Sequence, residues 1–466
     1  MHNAPSLRAP SDRLIGDDTP VALTVPTNRP SIHGITPWSG LALAVVAFFL
    51  IAPQSPPTAD LIASGQPAPT LWSLRAGPVN LLEVMAVVLA LASAAPYLVE
   101  PARSFARSAL DPILVLAVSL GVAVQAVALL RGFPTPRYVP TDVERPLTML
   151  AGYFLVTRSI HDPRTWRIVS GGLAVLLGCA AAEVVLVHGV IGHTQFFTAQ
   201  GREALLITED SLLLIVPAAF ACGMLVERRT RGLLRPAALV LIILAAAAVD
   251  AFSLRRGALI ALSVVVVTRA CVLPRRALAS LIVGVAILGA AVALIVPQAP
   301  VVRSVSYAVR SATGGQADAS TAQRSGERRD FARNVTGASW LVGKGMGSPW
   351  NAYEPGPREI ASYGSGETAF IRLGWHATGL DWLYKFGLGG VAVILTLLFV
   401  GLRRGWLAAR AHPCNGTAMR SLVVVCPVLL LFSFTNIRIA FVSGLVLALI
   451  STGIDLNARR SPAPSA

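Results

Sequence analysis

Apolar residues along this chain come in solid blocks, not in alternation, and short arginine-bearing segments separate the blocks. Solid blocks predict membrane-spanning α-helices, because about 20 apolar residues at helical rise cross a bilayer core. A spanning β-barrel would show alternating positions instead. The pattern predicts about twelve spans, near 38–53, 79–99, 112–130, 147–160, 168–188, 205–226, 234–253, 257–274, 278–297, 377–401, 420–435 and 438–455. The expected fold class is therefore all-α, a polytopic membrane protein with a transmembrane domain over 38–455 and one large loop over 298–376. The tails 1–37 and 456–466 are rich in Pro, Ser and polar residues and are expected to be disordered. The first tail is too long for a secretory signal, so the block after it is expected to remain as a helix.

Arginine placement sets the expected orientation. Short cytoplasmic loops carry the excess of Arg and Lys. With the N-terminus inside, these loops hold Arg103 and Arg107; Arg158, Arg164 and Arg167; Arg228, Arg229, Arg231 and Arg235; Arg275 and Arg276; and Arg403, Arg404 and Arg410. Arg459 and Arg460 then mark a cytoplasmic C-terminus. Four features fall outside: Arg255-Arg256, the segments 131–145 and 189–204, and the 298–376 loop. That loop holds Arg303, Arg310, Arg324, Arg328, Arg329, Arg333, Lys344, Arg358 and Arg372. A cationic loop on the side that normally lacks cations calls for an anionic partner.

Composition agrees. Hydrophobic residues make up 54% and charged ones 14%, with mean hydropathy +0.64, where a soluble chain carries about 25% charged residues. The net charge of +15 comes almost wholly from arginine; Lys344 and Lys385 are the only lysines. The charge is scattered over loops between spans, so lipid headgroups or phosphorylated lipid substrates are the expected partners and nucleic acid is not. Cys179, Cys222, Cys271, Cys414 and Cys426 lack metal spacing, and no structural disulfide is expected.

Several residues carry candidate chemistry. Arg255 and Arg256 sit in a tight outer turn, where two guanidiniums are costly without an anion. The planar guanidinium fork suits a diphosphate; snorkelling to lipid phosphates is the plainer account. The run from Gln323 to Arg333 reads as an amphipathic helix at the membrane surface, with Phe331, Val335 and Trp340 roughly on one side. Either Arg324 or Arg328 is a candidate ligand for an anion there; acids among bases also fit intrahelical ion pairs. Gly343-Lys-Gly-Met-Gly347 suggests a phosphate cradle but lacks the Walker spacing, so a tight turn is the preferred reading. His376 stands where a helix enters the membrane and is a candidate general base, with His188 and His193 as rivals. Asp381 and Lys385 are spaced to pair within one helix. Glu183, Glu209, Asp210 and Asp250 are costly in a membrane and mark an ion path or, for Glu209, Asp210 and Asp250 near the outer halves, partners for arginines; Glu183 has no partner evident in the sequence. No zinc spacing or nucleophile-elbow motif appears, so neither metal nor cofactor is expected.

Together these pieces resemble the O-antigen ligase and polymerase superfamily of bacterial envelope glycosyltransferases, over roughly 205–395. Arg256-Gly-Ala258 resembles the family's Ser-Arg-Gly-Ala motif, with Arg255 where Ser is common. Arg324 to Gly347 resembles its pattern of an Arg, a surface helix and a Gly-x-Gly turn, with Trp340 in place of the usual Pro. His376, ten residues and Gly387 resemble its His-x10-Gly pattern, continued by Leu388-Gly-Gly390. The resemblance implies a C-type-glycosyltransferase-like fold and a metal-independent enzyme in the bacterial cytoplasmic membrane. Its donor would be an undecaprenyl-diphosphate-linked glycan and its acceptor a glycan or lipid. Arg255, Arg256 and Arg324 or Arg328 would hold the diphosphate, and His376 would deprotonate the acceptor. A polysaccharide or lipid transporter is the alternative, which expects intramembrane charge pairs along a path. An envelope scaffold is a third reading, and it leaves His376 without a role.

Overall fold

The structure is a computed structural model. It describes residues 75–76, 79–80, 108–160, 162–184, 196–197, 203–204, 209–226, most of 239–247, 256–270, 319–352, 370–372, 378–411, 413–433 and 437–459. The expected spans at 38–53 and 278–297, most of 79–99, the 1–37 tail and the loop parts 298–318 and 353–369 lie outside the described residues.

The described residues are overwhelmingly helical. The helices are α1 (Asp111–Leu130), α2 (Val139–Ser159), α3 (Pro163–Val184), α4 (Ile215–Val226), α5 (Arg256–Ala270), α6 (Ala319–Asn334), α7 (Ser339–Val342), α8 (Thr378–Ala411), α9 (Pro413–Phe432) and α10 (Ile437–Ala458). Short antiparallel ladders pair β1 (Arg75–Ala76) with β2 (Val79–Asn80), β3 (Phe196–Phe197) with β4 (Glu203–Ala204), and β5 (Trp350–Ala352) with β6 (Phe370–Arg372).

Three helical stretches, Asp111–Leu130, Gly379–Arg410 and Arg438–Ala458, are long and apolar enough to cross a membrane. Their surroundings differ. α10 is buried along almost its whole length, whereas α1 leaves Val115, Leu116, Val122 and Leu130 exposed and α8 leaves Leu395, Phe399 and Leu407 exposed. Rows of bare apolar side chains suit a lipid surface and not water.

α10 forms the middle of the core and lies against α2 at close range. A Cβ on Gly444 would collide with the Met149 carbonyl, and one on Gly152 would come within 2.9 Å of the Phe441 carbonyl. Small residues at such a crossing let backbones approach and gain dispersion contacts where no hydrophobic force acts between helices in lipid. Inside this core, the Ser443 and Thr452 hydroxyls donate to the carbonyls of Ile439 and Ala448, which keeps them satisfied.

Several boundaries differ from expectation. The short fourth span, 147–160, belongs to a longer helix that begins at Val139 and continues through Pro146. Half of the expected outer segment 131–145 is thus helical. Arg403, Arg404 and Arg410 were expected in a loop, but α8 runs to Ala411 and α9 begins at Pro413, so all three lie on a helix. α10 continues to Ala458, so the expected 456–466 tail begins as helix. Within the expected span at 205–226, a 3-10 turn over Glu209–Leu214 precedes α4, and residues 205–208 lie outside the described residues.

Polar contacts gather at two ends of the helices. At one, Asp111 accepts from the Tyr153 hydroxyl at 2.7 Å and from the Ser108 amide at 2.7 Å, and Arg158 lies 3.4 Å away. Ser108 also donates to Asp455 at 2.7 Å, and the Trp166 indole donates to the Leu449 carbonyl at 2.7 Å. The other end joins residues 125–142, 341–350 and 380–387.

Candidate functional site

At the second end a turn is clamped onto a broken helix. α8 is interrupted at Gly387, with φ 65° and ψ 176°. A continuous helix would direct the amides of residues 388 and 389 to the carbonyls of Tyr384 and Lys385. Here the Lys344 amide donates to the Tyr384 carbonyl at 2.8 Å and the Gly345 amide to the Lys385 carbonyl at 3.0 Å. The turn therefore satisfies the carbonyls that the kink releases.

The remaining amides of the turn are engaged as well. Gly343 donates to the Ser339 carbonyl at 2.9 Å, Met346 to the Gln125 side chain at 2.7 Å, and Gly347 to Asp142 at 2.7 Å. Five consecutive amides thus have protein acceptors. Gly343-Lys-Gly-Met-Gly347 is a packing turn, and its backbone has no donors left to cradle a phosphate.

Beneath the turn lies a buried charge cluster. Lys385 Nζ is 2.8 Å from Asp142 Oδ1 and 3.0 Å from Asp381 Oδ2, and all three side chains are buried. The expected Asp381–Lys385 pair is present; Asp142 is an addition to it. Asp142 ties three elements together, because its second oxygen holds the Gly347 amide. Asp381 Oδ1 is buried with no hydrogen-bond partner among the described residues.

Helix α6 packs over this end. Phe331 and Val335 are buried with Trp350 and Tyr384, and the Phe331 ring meets Tyr384 edge-on at 6.4 Å and Trp340 at 5.5 Å. The expectation that Phe331, Val335 and Trp340 face a membrane surface is corrected accordingly. Protein covers the first two, and Trp340 alone of the three remains exposed. Asp330 and Arg333 form an ion pair at 3.8 Å, as the charge spacing allows. The β5–β6 ladder sets Trp350 opposite Arg372, so the chain that leads toward His376 is tied to the same end.

The site residues read from sequence stand as follows. Arg328 is exposed on α6, and Arg324 lies one turn earlier on that helix. Arg256 is the first residue of α5, which packs against α4 and α9. Arg255, His376, His188, His193 and Asp250 lie outside the described residues. Among the described residues no group of three His, Cys, Asp or Glu side chains could hold a metal ion. Cys222 and Cys426 are buried free thiols.

Sequence reading passed over Asp142 and Gln125. Asp142 lies in 131–145, a segment noted only for its outer placement, and Gln125 sits in an apolar block as a lone polar residue. A polar residue isolated in such a block needs a partner, and that was the available signal. No protein-family model matches the chain, and no curated protein matches it.

Proposed function

We propose that the chain is an integral-membrane glycosyltransferase of the O-antigen ligase or polymerase type. It uses a polyprenyl-diphosphate-linked glycan at the outer face of the bacterial cytoplasmic membrane. The supporting observation is the clamp between the Gly343–Gly347 turn and the Gly387 kink. The Arg, helix and Gly-x-Gly pattern of 324–347 and the His-x10-Gly pattern of 376–387 are separate in sequence, yet their glycine ends interlock. In this reading about twelve spans hold the lipid tail, both termini are cytoplasmic, and the 298–376 loop caps the headgroup.

The chemistry follows from the residue types. The acceptor hydroxyl oxygen attacks the anomeric carbon, and His376 takes its proton. The bond from that carbon to the diphosphate oxygen breaks, and the diphosphate leaves on its lipid. Arg255, Arg256 and Arg324 or Arg328 stabilise the charge that develops on it.

Reconstitution with a lipid-diphosphate glycan tests the reading. Wild type converts the donor, and His376→Ala lowers conversion by a factor of roughly 100 or more, the scale of a lost general base. Equal conversion by both variants sinks the catalytic role. A ladder of product sizes marks a polymerase, and a single transfer marks a ligase. The transporter alternative draws on the buried Asp142–Lys385–Asp381 cluster. It predicts movement of labelled lipid across proteoliposomes that Lys385→Met abolishes.

A further inference from the structure

The two lysines of the chain sit side by side at the loop-side end but in opposite electrostatic states. Lys385 is buried and held by two carboxylates. Lys344 is half-buried, and its ammonium lies 5.4 Å from the ring centroids of both Phe133 and Tyr384. Among the described residues no carboxylate lies within ion-pair distance of it; the nearby acids Asp142 and Asp381 are committed to Lys385. The rings attract the cation but do not neutralise it.

The position of Lys344 is fixed by its backbone. Its amide is bonded to Tyr384, its carbonyl accepts from the Ser348 hydroxyl, and glycines on both sides pack against Lys385 and Ala128. The turn has no amide left for an anion, so any anion that docks here meets the ammonium. The turn also packs beside Gln125 and Ala128 in the last turns of one candidate span and beside Tyr384 and Lys385 in the opening turns of another. Lipid phosphates lie at that level of a bilayer, where aromatic and basic residues concentrate.

We propose that Lys344 is a phosphate-binding side chain, its ammonium framed by Phe133 and Tyr384 and taking the phosphate oxygens of a lipid. That phosphate belongs either to a membrane phospholipid or to a lipid-linked diphosphate; the recognition chemistry is the same. Burial disfavours the lone charge and lowers the Lys344 pKa, and a docked phosphate offsets this penalty.

The wild-type protein supplies a direct test, because amine acylation can report only Lys344 and the buried Lys385 among lysines. Full-length protein in a phosphate-free detergent is acylated alone and with phosphatidylglycerol, farnesyl diphosphate, dioleoylglycerol or farnesol. Peptide mass spectrometry then reads modification at Lys344. The two phosphate lipids are expected to slow acylation by about tenfold, the scale of a charge-assisted contact, and the two alcohols are not. Protection by farnesyl diphosphate alone assigns the site to a lipid-linked diphosphate; protection by phosphatidylglycerol alone assigns it to the headgroup. No protection by either phosphate lipid overturns the proposal, as does equal protection by the alcohols.

Retention of the protecting lipid in native mass spectrometry adds a second measurement. Lys344→Gln is expected to lose it, Lys344→Arg to keep it, and Arg404→Gln, at the far end of α8, to behave as wild type. Retention by Lys344→Gln equal to wild type also overturns the proposal. The inference does not depend on glycosyl transfer. Phosphate protection in a protein that transfers no glycan sinks the transferase reading alone, and transfer with Lys344 unprotected sinks this one alone.

Discussion

Gly343 and Gly387 meet backbone to backbone, 44 positions apart in the chain. A Cβ on Gly343 would lie 2.6 Å from the Gly387 nitrogen, and one on Gly387 would lie 2.5 Å from the Gly343 nitrogen. Both also have positive φ, 78° and 65°. Each glycine is therefore required twice, for its dihedral and for the space that its partner fills.

Gly387→Ala is expected to destabilise the protein by about 2–4 kcal/mol, combining left-handed strain with overpacking. Gly379→Ala serves as the contrast on the same helix. Gly379 is exposed, and a Cβ there would meet nothing within 4 Å, so this change is expected to be neutral or stabilising by up to about 1 kcal/mol. Thermal unfolding of the two variants in detergent checks both.

Lys385→Met removes the cation between Asp142 and Asp381 and leaves two buried carboxylates facing each other. The expected cost is about 3–5 kcal/mol. Adding Asp142→Asn and Asp381→Asn is expected to recover most of it, because the penalty arises from uncompensated charge. Arg333→Ala removes a half-exposed guanidinium 3.8 Å from the buried Asp330, and is expected to cost less than Lys385→Met, whose cation is buried along with both of its partners. Denaturant titration of the variants separates these outcomes.

Asp162 precedes α3 and accepts from the amides of Arg164 at 2.8 Å and Thr165 at 2.9 Å. Hydrogen bonds from Thr165, followed by those from Arg164, hold its carboxyl below the usual range. A depressed folded pKa gives stability that is present above the unfolded value and lost as pH falls through the folded one. Asp162→Ala is therefore expected to cost about 1 kcal/mol at neutral pH, the size of a lost cap. The gap from wild type should close as pH drops below about 4. Melting curves from neutral pH down to about pH 3 measure it.

The spans were legible where a block is apolar throughout. The block at 112–130 became α1, and the one at 438–455 became α10 with little change. The start of α2 was not legible, because Asp142, Glu144, Arg145 and two prolines make 139–146 read as loop. Those polar residues are tolerated in a helix because tertiary partners meet them, as Lys385 and the Gly347 amide meet Asp142. The surface position assigned to α6 failed for a related reason. Periodicity shows that Phe331 and Val335 share a face but not what covers that face.

By itself the sequence determined that the chain is helical and apolar enough for a membrane, that its arginines gather between apolar blocks, and that Asp381 can reach Lys385. Each is a local property, fixed by helical rise, side-chain type or a spacing of four. Only the tertiary structure decided that the Gly343–Gly347 turn closes the kink at Gly387, that Asp142 completes the charge around Lys385, and that Lys344 is left without a carboxylate among the described residues. These depend on which distant segments share one end of the helices, and no local pattern encodes that choice.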